Sequence, residues 1–370
     1  MRVILDCQHL KLYPVGKPGF SGGTETMVRV LARGLAEAGH AVHVVTPDLE
    51  EDEQRGANEW WWSPSCYPTR ADVVVMVGSL AGAEHYAGDA LVYATNGAEL
   101  PDRLTPEIAG LVAAFPVFSE VHADLLCKTN PGVLRERCVV TGLGVDLDDY
   151  APDPVKMPGR IWVGNDPSRG LWHVLDVFDL VKNAVPDATL HVTYDVDGLF
   201  GKMKWHQNAL AEMLWECKRR LATTPGVTLL GAVDRPTLVR EQSEAHVHVW
   251  PSDPSNVGTQ LHGLSQMDAA AAGCALVLSD VEAFPEVFGE AATIFPTIGT
   301  FVPTPEGEGY RIDAQDYADR VVELMQDAEQ WADASRRARR LAERNTWEEC
   351  VGNWLLLLDR IEAARTEAAE

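Results

Sequence analysis

Gln260, Gly263, Leu264 and Asp268 have the types and spacing to hold a phosphorylated ligand. Gln260 and Asp268 lie eight residues apart, about two turns if one helix carries both, so both can face one cleft. A glycine at a helix start lets a ligand come close to the backbone. The unpaired N–H groups of a first helical turn, at the positive end of the helix dipole, suit a phosphate.

The flanking residues supply a frame for that chemistry. Ala245 to Trp250 reads as a short apolar strand, and Pro251 to Thr259 as a turn-rich loop. Gln260 to Ala272 reads as a helix closed by Gly273, and Cys274 to Leu278 as a second strand. Strand, loop, helix, strand is a βαβ unit of a parallel sheet, which binds ligands beyond the carboxyl ends of its strands. The plainer alternative is a buried alanine-rich helix with two polar ends.

The N-terminal half repeats the pattern. Met1 to Cys7 is a buried strand, Gln8 to Ser21 a loop, Thr24 to Ala38 an amphipathic helix, and Ala41 to Thr46 a strand. Gly22 and Gly23 stand where the first loop becomes the first helix, so a diphosphate or sugar can approach the backbone there. Asp48 to Tyr67 is acidic and then aromatic, with Trp60, Trp61, Trp62 and Tyr67, and is expected to be an acceptor-side loop or a loop packed on its domain. Ala71–Gly78, Ala90–Thr95, Pro116–Ser119 and Cys138–Gly142 read as further strands. In the C-terminal half, strands are expected at 160–164, 188–194, 227–230 and 292–295, an irregular insertion at 198–206, an acidic loop at 306–309, and closing helices over 314–344 and 347–364.

With 370 residues, two domains are expected. The boundaries are set at 1–152, 153–345 and 346–370, the last a closing helix. The formal net charge of -24 argues against generic nucleic-acid binding and against docking on anionic lipid. Seven scattered cysteines, none in a CxxC pair, fit reduced thiols rather than disulfides or zinc. MRVILD does not read as a signal peptide, and no apolar run reaches the ~20 residues of a membrane span. A cytoplasmic protein without a membrane span is expected.

QLHGLSQMDAAAAGCALV resembles the donor-site segment of glycosyltransferase family 4. GGTE with the helix and AGHAVHVVT behind it, PSRGL in mid-chain, and the helix at Trp347 are similar to the same family, in the same order. The resemblance implies an α/β protein of GT-B fold, two Rossmann-like domains with parallel sheets facing a central cleft. It implies a retaining glycosyltransferase that moves a sugar from a nucleotide-diphosphate sugar (UDP- or GDP-linked) to an unidentified acceptor, with no metal or other cofactor.

Site roles follow by position. Gln260 falls on the family's first Glu and Asp268 on its second, where it accepts from the ribose hydroxyls. Arg169 falls on the phosphate-pairing cation of the mid-chain loop, and Asn165 on that loop's Arg. Asn96 stands where a sugar-contacting His is frequent; Gln260 and Asn96 are expected to hold the sugar. The amides of His262, Gly263 and Leu264 face the diphosphate, and the turn at Val233 lies under the nucleobase. His85 and His122 receive no role. Departures at Asn96, Asn165, Gln260 and Asp268 keep two alternatives open: a nucleotide-sugar-binding protein without turnover, and a GT-B sugar-nucleotide epimerase.

Overall fold

A computed structural model describes residues 1–8, 22–47, 49, 51–98, 104–198, 209–252, 260–297 and 312–369. The chain divides into two compact units. Unit 1 runs to Gly144 and resumes over Thr346–Glu370; unit 2 is Val145–Asn345.

In unit 1 the elements are β1 (Arg2–Asp6), α1 (Gly23–Glu37), β2 (Ala41–Val45), β3 (Glu53–Gly56), β4 (Glu59–Trp62), β5 (Arg70–Val77), β6 (Ala87–Ala94), α2 (Pro106–Leu111), β7 (Val112–Val117), α3 (Glu120–Thr129) and β8 (Cys138–Val140). Their sheet order is β3-β4-β2-β1-β5-β6-β7-β8. Among the described strands, only β3 runs antiparallel to its neighbour. Val3, Ile4 and Leu5 are fully buried, which is why β1 reads as a continuous apolar run: both faces of a parallel sheet are covered. α1 turns Met27, Val28, Leu31 and Leu35 inward. Each such side chain contributes about 1.5–3 kcal/mol on full burial.

Trp60, Trp61 and Trp62 do not lie on a loop. They form β4, paired with β2 through His43↔Trp60 and Val45↔Trp62. Trp60 stacks on His43 at 4.9 Å, Trp62 donates its indole N–H to His43 Nδ1 at 3.1 Å, and Trp61 is buried under the Arg55 guanidinium. Aromatic residues suit a half-buried pleated surface, and here their rings satisfy one another rather than await a ligand.

Unit 2 contains β9 (Arg160–Val163), α4 (Leu171–Ala184), β10 (Thr189–Val192), α5 (Ala209–Thr223), β11 (Val227–Leu229), α6 (Arg235–Glu244), β12 (Val247–Trp250), α7 (Leu264–Ala271), β13 (Ala275–Ser279), α8 (Phe284–Phe288), β14 (Thr293–Phe295), α9 (Ala314–Gln326) and α10 (Ala328–Glu343). All its described strands are parallel, in the order β11-β10-β9-β12-β13-β14. Trp162, Trp250, Phe178, Phe284 and Phe288 are among its largest buried side chains.

Several boundaries differ from the sequence reading, among them the strand expected at Pro116–Ser119, which is Val112–Val117. The helix expected from Gln260 begins at Leu264, because Gly263 takes φ 106°, outside helical geometry. The closing helix over 314–344 is two helices, since Asp327 leaves helical geometry and its carboxylate caps the amides of Glu329 and Gln330. The expected loop at 306–309, and most of the loops at 8–21 and 251–259 and of the insertion at 198–206, lie outside the described residues.

Helix α11 (Trp347–Ala369) closes the chain. It belongs to unit 1 and packs on α1, where the Val351 methyls fill the space a side chain at Gly34 would need. Cys350 and Asn353 donate to the carbonyls of Gly142 and Thr141. Among the described residues, no helix is long and apolar enough to cross a membrane.

Candidate functional site

β9 and β12 are neighbours in the unit 2 sheet, and each leads toward a glycine-headed helix: α4 behind Gly170, α7 behind Gly263. Neither glycine provides a side-chain cap. The α6, α9 and α10 starts differ: Asp234, Asp313 and Asp327 each accept from first-turn amides. Two helices therefore present uncapped first-turn N–H groups on the carboxyl side of adjacent strands, the arrangement that attracts an anion.

The other end of α7 is closed with cations. Arg339 donates to the Ala271 carbonyl, Lys156 Nζ to that of Ala272 at 2.6 Å, and the Ser335 hydroxyl to that of Gly273 at 2.8 Å. Positive charge at a helix C-terminus offsets the negative end of its dipole. The α7 start is closely packed as well. A Cβ on Gly263 would lie 2.9 Å from Gln266 Oε1 and 3.0 Å from the Phe284 and Phe288 rings.

Ser252, two residues past β12, connects the loop before α7 to the turn before α4. Its hydroxyl accepts from Gln260 Nε2 at 2.8 Å and donates to the Arg169 carbonyl at 3.4 Å, while its N–H donates to Ser279 Oγ at 2.9 Å. Gln260 is only 3% exposed. Its backbone is held from both sides: its N–H donates to a Glu282 carboxylate oxygen at 2.6 Å, and its carbonyl accepts from Ala283 N–H at 3.1 Å. Glu282 has φ 47°, uncommon for a residue with a side chain, and such strain is kept where the surroundings fix it.

Arg169 ends a 3-10 turn, Pro167–Arg169, whose Ser168 amide and hydroxyl both bond Asp166. Burial, with Asp166 next in effect, raises the Tyr194 phenol above its usual range. Asn165 keeps its side-chain oxygen buried without a protein partner. Burial lowers His262 to about 4, so this ring is neutral, and its Nδ1 has no partner. Val233 lies half-buried past β11, two residues before Arg235.

Asp268 is held by a residue that sequence reasoning missed. Arg235, the first residue of α6, donates to its two carboxylate oxygens at 3.0 and 3.2 Å. Arg235 also donates Nε to Asp149 at 2.8 Å and lies 5.6 Å from the centre of the Tyr150 ring. Ser252 and Glu282 were missed too. Ser252 reaches the Arg169 carbonyl across 83 residues and Glu282 reaches Gln260 across 22, beyond the reach of any local pattern.

In unit 1 the structure brings Asn96 to the start of α1. Its Nδ2 donates to Thr24 Oγ1 at 3.1 Å, beside Gly22 and Gly23, and α1 has no side-chain cap. His122 is buried, and its Nδ1 accepts from the Phe118 N–H at 3.1 Å. Burial lowers this imidazole to about 4.

Residues 158–327 match the family model of glycosyl transferases group 1. No curated protein matches the chain. Among solved structures, sucrose-phosphate synthase from Thermosynechococcus elongatus is similar at 15% identity and TM-score 0.70, covering 98% of this chain and 99% of that one. HepE from Anabaena, in complex with UDP and glucose, is similar at 15% identity and TM-score 0.66, over 97% and 100%. A glycosyltransferase from Rickettsia africae is similar at 13% identity and TM-score 0.66, over 97% and 98%. At such identities the structural likeness is one of fold, and the match over 158–327 adds the chemistry. Residues 158–327 are similar to glycosyl transferases group 1, and the chain that carries them is a transferase of GT-B fold.

Proposed function

We propose that unit 2 binds a nucleotide-diphosphate sugar and that the chain transfers the sugar to an acceptor hydroxyl with retention at the anomeric carbon, without a metal ion. The observation that carries this reading is the Ser252 bridge between Gln260 and Arg169, which ties the loop before α7 to the turn before α4. The diphosphate would lie against both helix starts, taking N–H groups from His262, Gly263 and Leu264 and charge from Arg169, with Asn165 beside it.

Asp268 would accept from the ribose hydroxyls, and the turn at Val233 would meet the base. Gln260 has one amide hydrogen committed to Ser252, which leaves its second amide hydrogen and Oε1 as contacts for the sugar. In unit 1, Asn96 with Gly22 and Gly23 is assigned a sugar-binding part. UDP and glucose are bound by the similar Anabaena protein, so UDP-glucose is the first donor to test.

In the reaction the bond from C1 to the β-phosphate oxygen breaks as the acceptor oxygen bonds to C1. The acceptor proton passes to the leaving phosphate oxygen. The protein's part is to stabilise charge as it grows on the diphosphate, and fixed donors in a low-dielectric site do this without reorganisation. Incubating the protein with UDP- and GDP-sugars, followed by mass spectrometry, tests the reading. Release of free sugar and nucleoside diphosphate supports it. An epimerised donor, or binding without any release, contradicts it.

A further inference from the structure

Cys127, in the last turn of α3, has its Sγ 3.8 Å from the Sγ of Cys138, the first residue of β8. Both are free thiols, and both belong to unit 1. Cys127 is half-buried and Cys138 is 8% exposed. A disulfide holds its sulfurs about 2.05 Å apart, so bridging these two asks for a closure of about 1.8 Å.

The two sides of that gap are held differently. Cys138 is paired to Phe115 of β7 and is fixed in the sheet. The first half of α3 is fixed as well: Ser119 Oγ accepts from the His122 N–H at 3.1 Å, and Arg135 pairs with Glu120 and Asp124. The last turn of α3 is therefore the part that shifts when the sulfurs meet. The residues that end it hold the Ala98 carbonyl, to which Thr129 Oγ1 donates at 2.6 Å and Asn130 Nδ2 at 2.8 Å. Ala98 closes the turn that carries Asn96, in which the Gly97 N–H donates to Thr95 Oγ1 at 3.2 Å.

We infer that Cys127 and Cys138 are a site of reversible oxidation by a low-molecular-weight disulfide, and that closing their bridge loosens the turn that carries Asn96. Cys127, the more exposed thiol, loses its proton and attacks one sulfur of the reagent; the reagent's S–S bond breaks and one thiol leaves with that proton. Cys138 then loses its proton and attacks Cys127 Sγ, which releases the second thiol. The protein gives up two electrons and two protons, and the reagent is reduced to two thiols. Burial raises both cysteines, so the exchange is slow at neutral pH and quicker in mild alkali, where more thiolate exists. An effect on sugar transfer rests on the reading of Asn96 as part of the sugar site.

The test treats the full chain carrying Cys66→Ser, which removes the exposed thiol, with hydroxyethyl disulfide in mildly alkaline buffer. Peptide mass spectrometry should show a Cys127–Cys138 link, reversed by dithiothreitol. Amide exchange of the peptide spanning Thr95–Ala98 should then be faster by about tenfold, the effect of losing about one hydrogen bond, while peptides of unit 2 keep their rates. Release of sugar from UDP-glucose should fall by a similar factor. With Cys127→Ser added, or Cys127→Ala should the serine variant not fold, the reagent should alter neither exchange nor release.

Absence of the link, or a link with unchanged exchange over Thr95–Ala98, overturns the switch. A link with faster exchange but unaltered release leaves the switch standing and removes Asn96 from the sugar site. If the reduced protein releases no sugar, the transfer reading fails, and the link and the exchange still decide the switch.

Discussion

Gln260 donates its side-chain N–H to Ser252 at 2.8 Å, and through that contact the loop before α7 is tied to the turn that carries Arg169. Gln260→Glu removes the donor and places an ionisable oxygen in a site that is 3% exposed. Desolvation of a carboxylate without a hydrogen-bond donor is costly. The variant should lose about tenfold or more in turnover on its preferred donor, roughly one contact of 1.4 kcal/mol. Neutral hexose donors should suffer less than donors bearing a carboxylate or an N-acetyl group. A donor panel at saturating and sub-saturating concentration checks this; identical rates across the panel would remove Gln260 from the sugar site.

Gly263 is the second point of control. An alanine there meets both a left-handed backbone, φ 106°, and contacts near 3 Å from Gln266, Phe284 and Phe288. Gly263→Ala should cost about 1–3 kcal/mol of stability. In a domain this size that corresponds to a fall in Tm of several degrees, on the order of 2–4 °C per kcal/mol. Nucleotide should bind more weakly even below the new Tm. Calorimetric melting with and without UDP measures both effects.

Acid should destabilise the fold through its histidines. Burial lowers His43, His122, His246, His248 and His262 to about 4 each. Unfolded, each titrates near 6.5, so between pH 6.5 and 4 the unfolded chain binds protons that the folded chain refuses. The stability they contribute is complete above pH 6.5 and is lost as pH falls toward 4. Tm should fall steadily over that window. His262, whose Nδ1 has no partner, gives the control: His262→Leu should flatten the slope, and an unaltered slope would show that His262 takes no part.

Chelation should leave the reaction intact. The countercharge for the diphosphate is assigned to Arg169 and to the uncapped α4 and α7 starts, so transfer in excess EDTA should match transfer without it. Activity abolished by EDTA and restored by manganese would replace this assignment with a metal-bridged diphosphate.

Much of the fold was legible because parallel strands buried on both faces leave continuous apolar runs, such as Val3–Leu5 and Ala275–Leu278, and because glycines punctuate the turns between them. The hairpin at β3 and β4 was not legible. Its strand carries a glutamate and three tryptophans, and the stacking of Trp60 on His43 depends on pairing with β2. Within the candidate site, Gln260, Gly263 and Asp268 stand close in sequence and share one pattern. Arg235 does not: its bond to Asp268 spans 33 residues, and nothing near Asp234-Arg235-Pro236 signals it. Long-range polar pairs are set by how helices pack, which local spacing does not encode.

The central claim, a diphosphate held between the starts of α4 and α7, is tested most directly by calorimetric titration of UDP and GDP into the wild type and into Arg169→Ala. Saturable binding of at least one of them is expected. In Arg169→Ala that binding should weaken by about tenfold to a hundredfold, since charge-assisted bonds to phosphate are worth about 1.5–3 kcal/mol. Equal affinity in the two proteins, or no binding of either nucleotide to the wild type, would contradict it.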